Sequence, residues 1–164
     1  MKALITLTLL ATSAFLYGQE VASLKIKSLR SKPIIQAEIN GKKGYFLVDT
    51  GSDISIINST QLKRYRLQQT KIYDTRKKVI GFNGNTSQIM KVKNANMVFT
   101  GNFDHQNFYS INLDNLANSM EVKTALRIDG IIGADVLLKY NCIIDYNNRN
   151  ITLVEGRKKH LASK

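Results

Sequence analysis

From Ile35 the chain alternates, with Ile35, Ala37 and Ile39 on one side and Gln36 and Glu38 on the other. That period of two predicts a strand with one buried face. Asn40-Gly41 follows as a hairpin-turn signal, and the return strand Tyr45-Phe46-Leu47-Val48 is apolar at every position, which predicts cover on both faces. Ile54 to Ile57 reads as a further short strand, and Ser59 to Tyr65 suits a short helix with Ser59 or Thr60 as its N-cap. Two β-like arms, Lys77 to Ile80 and Thr86 to Val92, flank a Gly/Asn-rich centre at 81–85, which predicts a hairpin with a mobile tip. Asn96 to Thr100 and Asn107 to Leu113 look like strands, and Leu113 to Met120 has a helical flavour inside a mixed stretch ending at Leu126.

The last third is clearer. Asp129-Gly130-Ile131-Ile132-Gly133 predicts a short strand framed by glycines. Ala134 to Tyr140 predicts a short helix, with Asp135 in its first turn where a negative charge suits the dipole. Cys142 to Tyr146 and Asn150 to Val154 predict a closing hairpin. Many short strands with at most two short helices point to a mainly all-β fold, expected as a closed barrel over residues 33–155. The polar, basic stretch 19–32 is expected to be a loose lead-in, and 156–164 a solvated basic tail.

Residues 1–18 carry one charge, Lys2, and then an uncharged apolar run, the layout of a signal peptide. The alternative is a membrane anchor over 3–17, although that run is shorter than the roughly 20 apolar residues a span needs. The chain's 164 residues suit one domain, and its 43% hydrophobic content is too high for disorder. Net charge is +12, or +11 once Lys2 leaves with the first 18 residues. The basic residues are scattered with no aromatic series between them, which argues against nucleic acid and leaves weak contact with anionic surfaces. Cys142 is the one cysteine, so no internal disulfide forms, and it is expected as a buried, inert thiol. Two histidines and no Cys/His cluster give no basis for a metal site or other cofactor.

One stretch carries chemistry. The apolar strand Tyr45 to Val48 runs straight into Asp49-Thr50-Gly51, then Ser52-Asp53. Together with the later Ile131-Ile132-Gly133 and the Gly-rich hairpin, this pattern resembles the retropepsin-like aspartic proteases. The resemblance implies an endopeptidase in which two carboxylates held close share one proton, one acting as base toward water and the other as acid toward the leaving nitrogen. Asp-Thr-Gly occurs once, so a homodimer would supply the second Asp49. By the same resemblance Thr50 bonds across the two-fold axis and Gly51 gives the backbone close passage. Ser52 could bond the carboxylate, and Asp53 matches the acid that accepts from substrate amides. Ile131, Ile132 and Gly133 match the segment beneath the active loop, while Gly81, Phe82, Asn83 and Gly84 fit a flap that closes over a peptide or protein substrate. Two rivals remain on the sequence: a non-catalytic retropepsin-like module that binds a peptide or protein, and a basic barrel that binds anionic surfaces with Asp49 incidental.

Overall fold

The computed structural model describes residues 21–30, 32–72, 78–80, 86–101 and 103–154, with backbone alone at 78–80 and 86–88. The stretch 1–18 and the tail 156–164, read above as signal peptide and solvated end, lie outside the described residues. Fourteen strands and two α-helices are described. In chain order the strands are β1 (Val21–Ser28), β2 (Ile34–Ile39), β3 (Lys42–Val48), β4 (Ile56–Asn58) and β5 (Gln68–Lys71). Then come β6 (Lys78–Ile80), β7 (Thr86–Gln88), β8 (Met90–Lys93), β9 (Met97–Thr100), β10 (Phe103–His105) and β11 (Tyr109–Ile111). Helix α1 (Asp114–Thr124), β12 (Gly130–Ile132), helix α2 (Ala134–Lys139), β13 (Ile143–Asp145) and β14 (Asn150–Val154) complete the chain.

The β2–β3 hairpin forms as the pattern predicts. Asn40 and Gly41 both take left-handed φ, 48° and 76°, the combination a tight turn needs to match strand twist. Alternation then sorts the buried side chains onto two faces. Ile35, Phe46, Val48, Ile57 and Ile132 join the larger core, which also takes Val136 from α2. Their neighbours Ile34, Leu47, Ile56 and Ile131 join a second core with Ala117 and Met120 of α1. An all-apolar strand such as Phe46-Leu47-Val48 is therefore covered on both sides, as its composition demands.

The sheet path runs β13-β14-β1-β2-β3-β12-β4-β11-β8-β5, with β9 joined to β2 and β10 to β9. Its two ends do not pair, so the barrel expected from the sequence is not closed. The path ends at β13 on one side and β5 on the other with no pairing between them, while α1 covers one face of the central strands. The expected loose lead-in is also corrected: residues 21–28 are β1, paired to both β14 and β2. Leu24 and Ile26 point inward while Lys25 and Lys27 point out, so charge on one face concealed a regular alternation.

The helix expected over 59–65 is a single 3-10 turn at Ser59–Gln61, followed by a turn that reaches left-handed Arg66. Leu62 and Tyr65 are both buried in the turn that follows, where the Tyr65 N–H donates to Gln61 O at 3.2 Å. The arms of the predicted hairpin do pair, Lys78 with Gln88 and Ile80 with Thr86. Its tip, with Gly81, Phe82, Asn83 and Gly84, lies outside the described residues. Helix α1 resolves the mixed stretch, ending at Ala125 with φ of 59°. Among the described residues no helix is long and apolar enough to cross a membrane.

Candidate active site

Strand order places the site. β12, from late in the chain, lies between β3 and β4, parallel to the first and antiparallel to the second. The loop joining β3 to β4 therefore has to pass over the end of β12, and that loop carries Asp49 to Gly51. The backbone N–H of Asp49 donates to Ile132 O at 3.0 Å, and the N–H of Ala134 donates to Ser52 O at 2.7 Å. Two ends of the loop are thus pinned to the Ile-Ile-Gly segment.

Asp49 is partly exposed, and both of its carboxylate oxygens are engaged. Oδ1 accepts from the Gly51 N–H at 3.1 Å. Oδ2 accepts from Lys32 Nζ at 2.7 Å, an ion pair with a side chain 49% exposed. A Cβ on Gly51 would stand 3.4 Å from Oδ1, an ordinary van der Waals contact, so it is the Gly51 N–H that serves the carboxylate. Thr50 and Asp53 are exposed, and neither makes a hydrogen bond or ion pair among the described residues. Ser52 departs from expectation. Its hydroxyl donates to Ile54 O at 2.7 Å, a local loop contact, and the carboxylate is served by the Gly51 N–H in its place.

Beneath the loop, Gly133 has no space for a side chain: a Cβ would meet Ile54 O at 2.5 Å and Ser52 O at 2.6 Å. Its N–H donates to Ser55 Oγ at 3.0 Å, and Ser55 Oγ donates on to Asp135 Oδ1 at 2.7 Å. The Ser55 N–H reaches Asp135 Oδ2 at 3.0 Å, with His105 Nε2 3.4 Å from the same oxygen. Burial works to raise the Asp135 pKa, but the bonds from His105 and Ser55 together hold it below the ordinary carboxylate value. So Asp135 does more than face a helix dipole; it ties α2 to the loop. Ile131 and Ile132 are both buried, one in each core.

A second anchor stands just upstream. Asp129, 5% exposed, accepts from the Tyr65 hydroxyl at 2.7 Å, the Tyr45 N–H at 3.2 Å and Arg64 Nη1 at 3.0 Å. It fixes the entry to β12 and hence the register under Asp49. A cavity of about 470 Å³ is lined by Asp104, His105, Gln106, Asn107, Asp135 and Lys139; Asp49 is not in its wall. Among the described residues no group of three or more His, Cys, Asp or Glu could hold a metal ion. Cys142 is half-buried, and burial pushes its thiol up to about 11.

Asp49, Gly51 and the Ile-Ile-Gly segment, singled out from the sequence, are brought together by the fold. Lys32, Ser55, His105 and Asp129 were not singled out. The signal for Lys32 was the hairpin register, and for Asp129 its place next to Gly130.

Residues 35–136 match the family model described as aspartyl protease. No curated protein matches. A retropepsin-like aspartic protease from Rickettsia conorii superposes with a TM-score of 0.51 at 17% identity, covering 85% of this chain and 95% of that one. The retroviral protease-like domain of Ddi1 from Leishmania major gives a TM-score of 0.45 at 18% identity, over 83% and 94% of the two chains. The EIAV protease complexed with the inhibitor HBY-793 gives 0.45 at 16% identity, over 68% and 89%. The first of these shares its fold with this chain.

Proposed function

The chain belongs to the aspartyl protease family, and from that premise we propose that it is an exported aspartic endopeptidase that works as a homodimer. The observation that carries this reading is the placement of Asp49. It leaves a strand buried on both faces, its N–H is tied to Ile132, and its Oδ1 accepts from the Gly51 N–H.

One chain brings one such carboxylate, so peptide hydrolysis needs a second copy. Two Asp49 side chains face to face cannot both hold their charge comfortably and share a proton. The ionised one takes a proton from water as that water attacks the scissile carbonyl. The protonated one gives its proton to the departing nitrogen, and the pair is ready again with the proton on the other oxygen. Because the two groups act as one unit, their titration belongs to the pair. Thr50 bonding between subunits, Asp53 and Ser52 against substrate, and the 81–84 flap over it complete the proposal. Export rests on Lys2 and the uncharged run after it; N-terminal sequencing of the mature protein tests it.

The direct test is Asp49→Asn. Purified Asp49→Asn protein should lose peptide cleavage by several orders of magnitude while keeping its melting temperature. Cleavage at the wild-type rate would sink the reading. A second reading, a binding module without catalysis, is favoured by the ion pair that occupies Asp49 Oδ2 in the single chain. It expects peptide capture and no turnover at any protein concentration.

A further inference from the structure

The partner on Asp49 Oδ2 is set by the hairpin itself. In the β2–β3 ladder Ile39 faces Lys42, Ile35 faces Phe46 and Ile34 faces Leu47. Continued for two residues, the same register sets Pro33 opposite Val48 and Lys32 opposite Asp49. The pairing does run one residue past the ladder, since the Val48 N–H donates to Pro33 O at 2.8 Å, and the chain bends next at Lys32. Directly opposed residues of an antiparallel pair put their side chains on one face, within reach of each other.

Pro33, the chain's one proline, adds a constraint from the sequence. It fixes its own φ and disfavours the helical region for the residue before it, so Lys32, which sits at a bend, has a restricted backbone. The ammonium at 2.7 Å is therefore a built contact, reached by a lysine whose backbone has little choice. Stability is a poor reason for it, since an ion pair this exposed contributes little. Its position is what matters. Oδ1 is bonded to a backbone N–H of the active loop, whereas Oδ2 is bonded to a long, half-exposed side chain. Of the two oxygens, Oδ2 alone can change partner without reshaping the loop.

We infer that Lys32 is a built-in latch on the half-site: its ammonium holds Asp49 Oδ2 in the lone subunit and has to swing aside before two Asp49 carboxylates can share a proton. The inference rests on the proposed dimeric protease and concerns the control of that site. Subunits below their pairing concentration stay latched, with the carboxylate neutralised by its own chain. Pairing displaces two lysines, one from each subunit, which shifts the onset of activity to higher protein concentration.

The test compares wild type with Lys32→Met, which keeps length and removes charge, and with Lys32→Arg, which keeps the charge. Dimer dissociation is followed by fluorescence-detected sedimentation, and peptide hydrolysis is measured across the same dilutions. Losing two part-exposed ion pairs should tighten the Lys32→Met dimer about tenfold and raise its specific activity at high dilution by a similar factor. Lys32→Arg should follow wild type. A Lys32→Met dimer no tighter than wild type overturns the latch, whether or not the protein cleaves peptide. So does a Lys32→Arg protein that behaves like Lys32→Met, or a chain that forms no dimer at any concentration. If Lys32→Met pairs more tightly and neither protein cleaves, the latch stands and the protease reading falls.

Discussion

Tyr65→Phe is the sharpest probe of how the strand beneath Asp49 is held. The Tyr65 side chain is fully buried, and its hydroxyl donates to Asp129 Oδ2 at 2.7 Å. Phenylalanine keeps the ring and its packing, so the change removes one hydrogen bond to a charged group, worth about 1.5–3 kcal/mol. Asp129 keeps Arg64 and the Tyr45 N–H, which places the loss toward the lower end of that range. Urea denaturation at neutral pH measures it. Alkaline pH gives a second reading of the same bond. Burial first, then the hydrogen bond to Asp129 and its charge, push the Tyr65 phenol well above its ordinary value, with Arg64 opposing them. The unfolded tyrosine releases its proton near pH 10 and folded Tyr65 does not. Wild-type stability should therefore be intact below about pH 10 and fall above it by up to ~1.4 kcal/mol per pH unit from this residue. Tyr65→Phe should lack that share of the fall. A variant within ~0.5 kcal/mol of wild type at neutral pH, with the same alkaline slope, would refute the role given to the bond.

Gly133→Ala should cost about 3 kcal/mol or more, because the new methyl meets backbone oxygens that cannot rotate away; a thermal melt and a peptidase assay should both show the loss. Asp135 sits below its ordinary pKa when folded, so its stabilisation is fully present above about pH 4 and is lost progressively as pH falls from there through its lower folded pKa. Asp135→Asn should be less stable at pH 7 and show a shallower acid limb in denaturation midpoints taken from pH 6 to 3. Cys142, with its thiol pushed up to about 11, should react at least tenfold more slowly with a maleimide at pH 8 in the folded protein than in urea.

The motif of the loop was legible in the sequence because it is local: an apolar strand, an acid and a glycine in a row. The alternation that sorts Phe46 and Val48 from Leu47 was legible for the same reason. What escaped was either hidden by charge or decided by distant pairing. Lys25 and Lys27 masked β1, although Leu24 and Ile26 keep its alternation. His105, Ser55 and Asp135 lie far apart in sequence, and only the packing of α2 under the active loop brings them together. The expected helix at 59–65 failed because burial of Leu62 and Tyr65 and the left-handed Arg66 overrode local propensity. Lys32 could have been found by counting along the hairpin register, which needs no tertiary knowledge at all.

The insertion of β12 between β3 and β4 also sets a schedule for the molecule's birth. Phe46 has to wait for Gly130, and Asp49 for Ile132, before either has its neighbour. Contacts so remote along the chain form late, after the cost of closing a long loop has been met. A nascent polypeptide that already displays Asp-Thr-Gly therefore lacks the strand beneath that loop until its last third has been synthesised and has threaded into place. Fragments ending before residue 130 should be inert, however intact their motif. The delay keeps the Asp49 loop from taking its final shape while the strand beneath it is still unfolded.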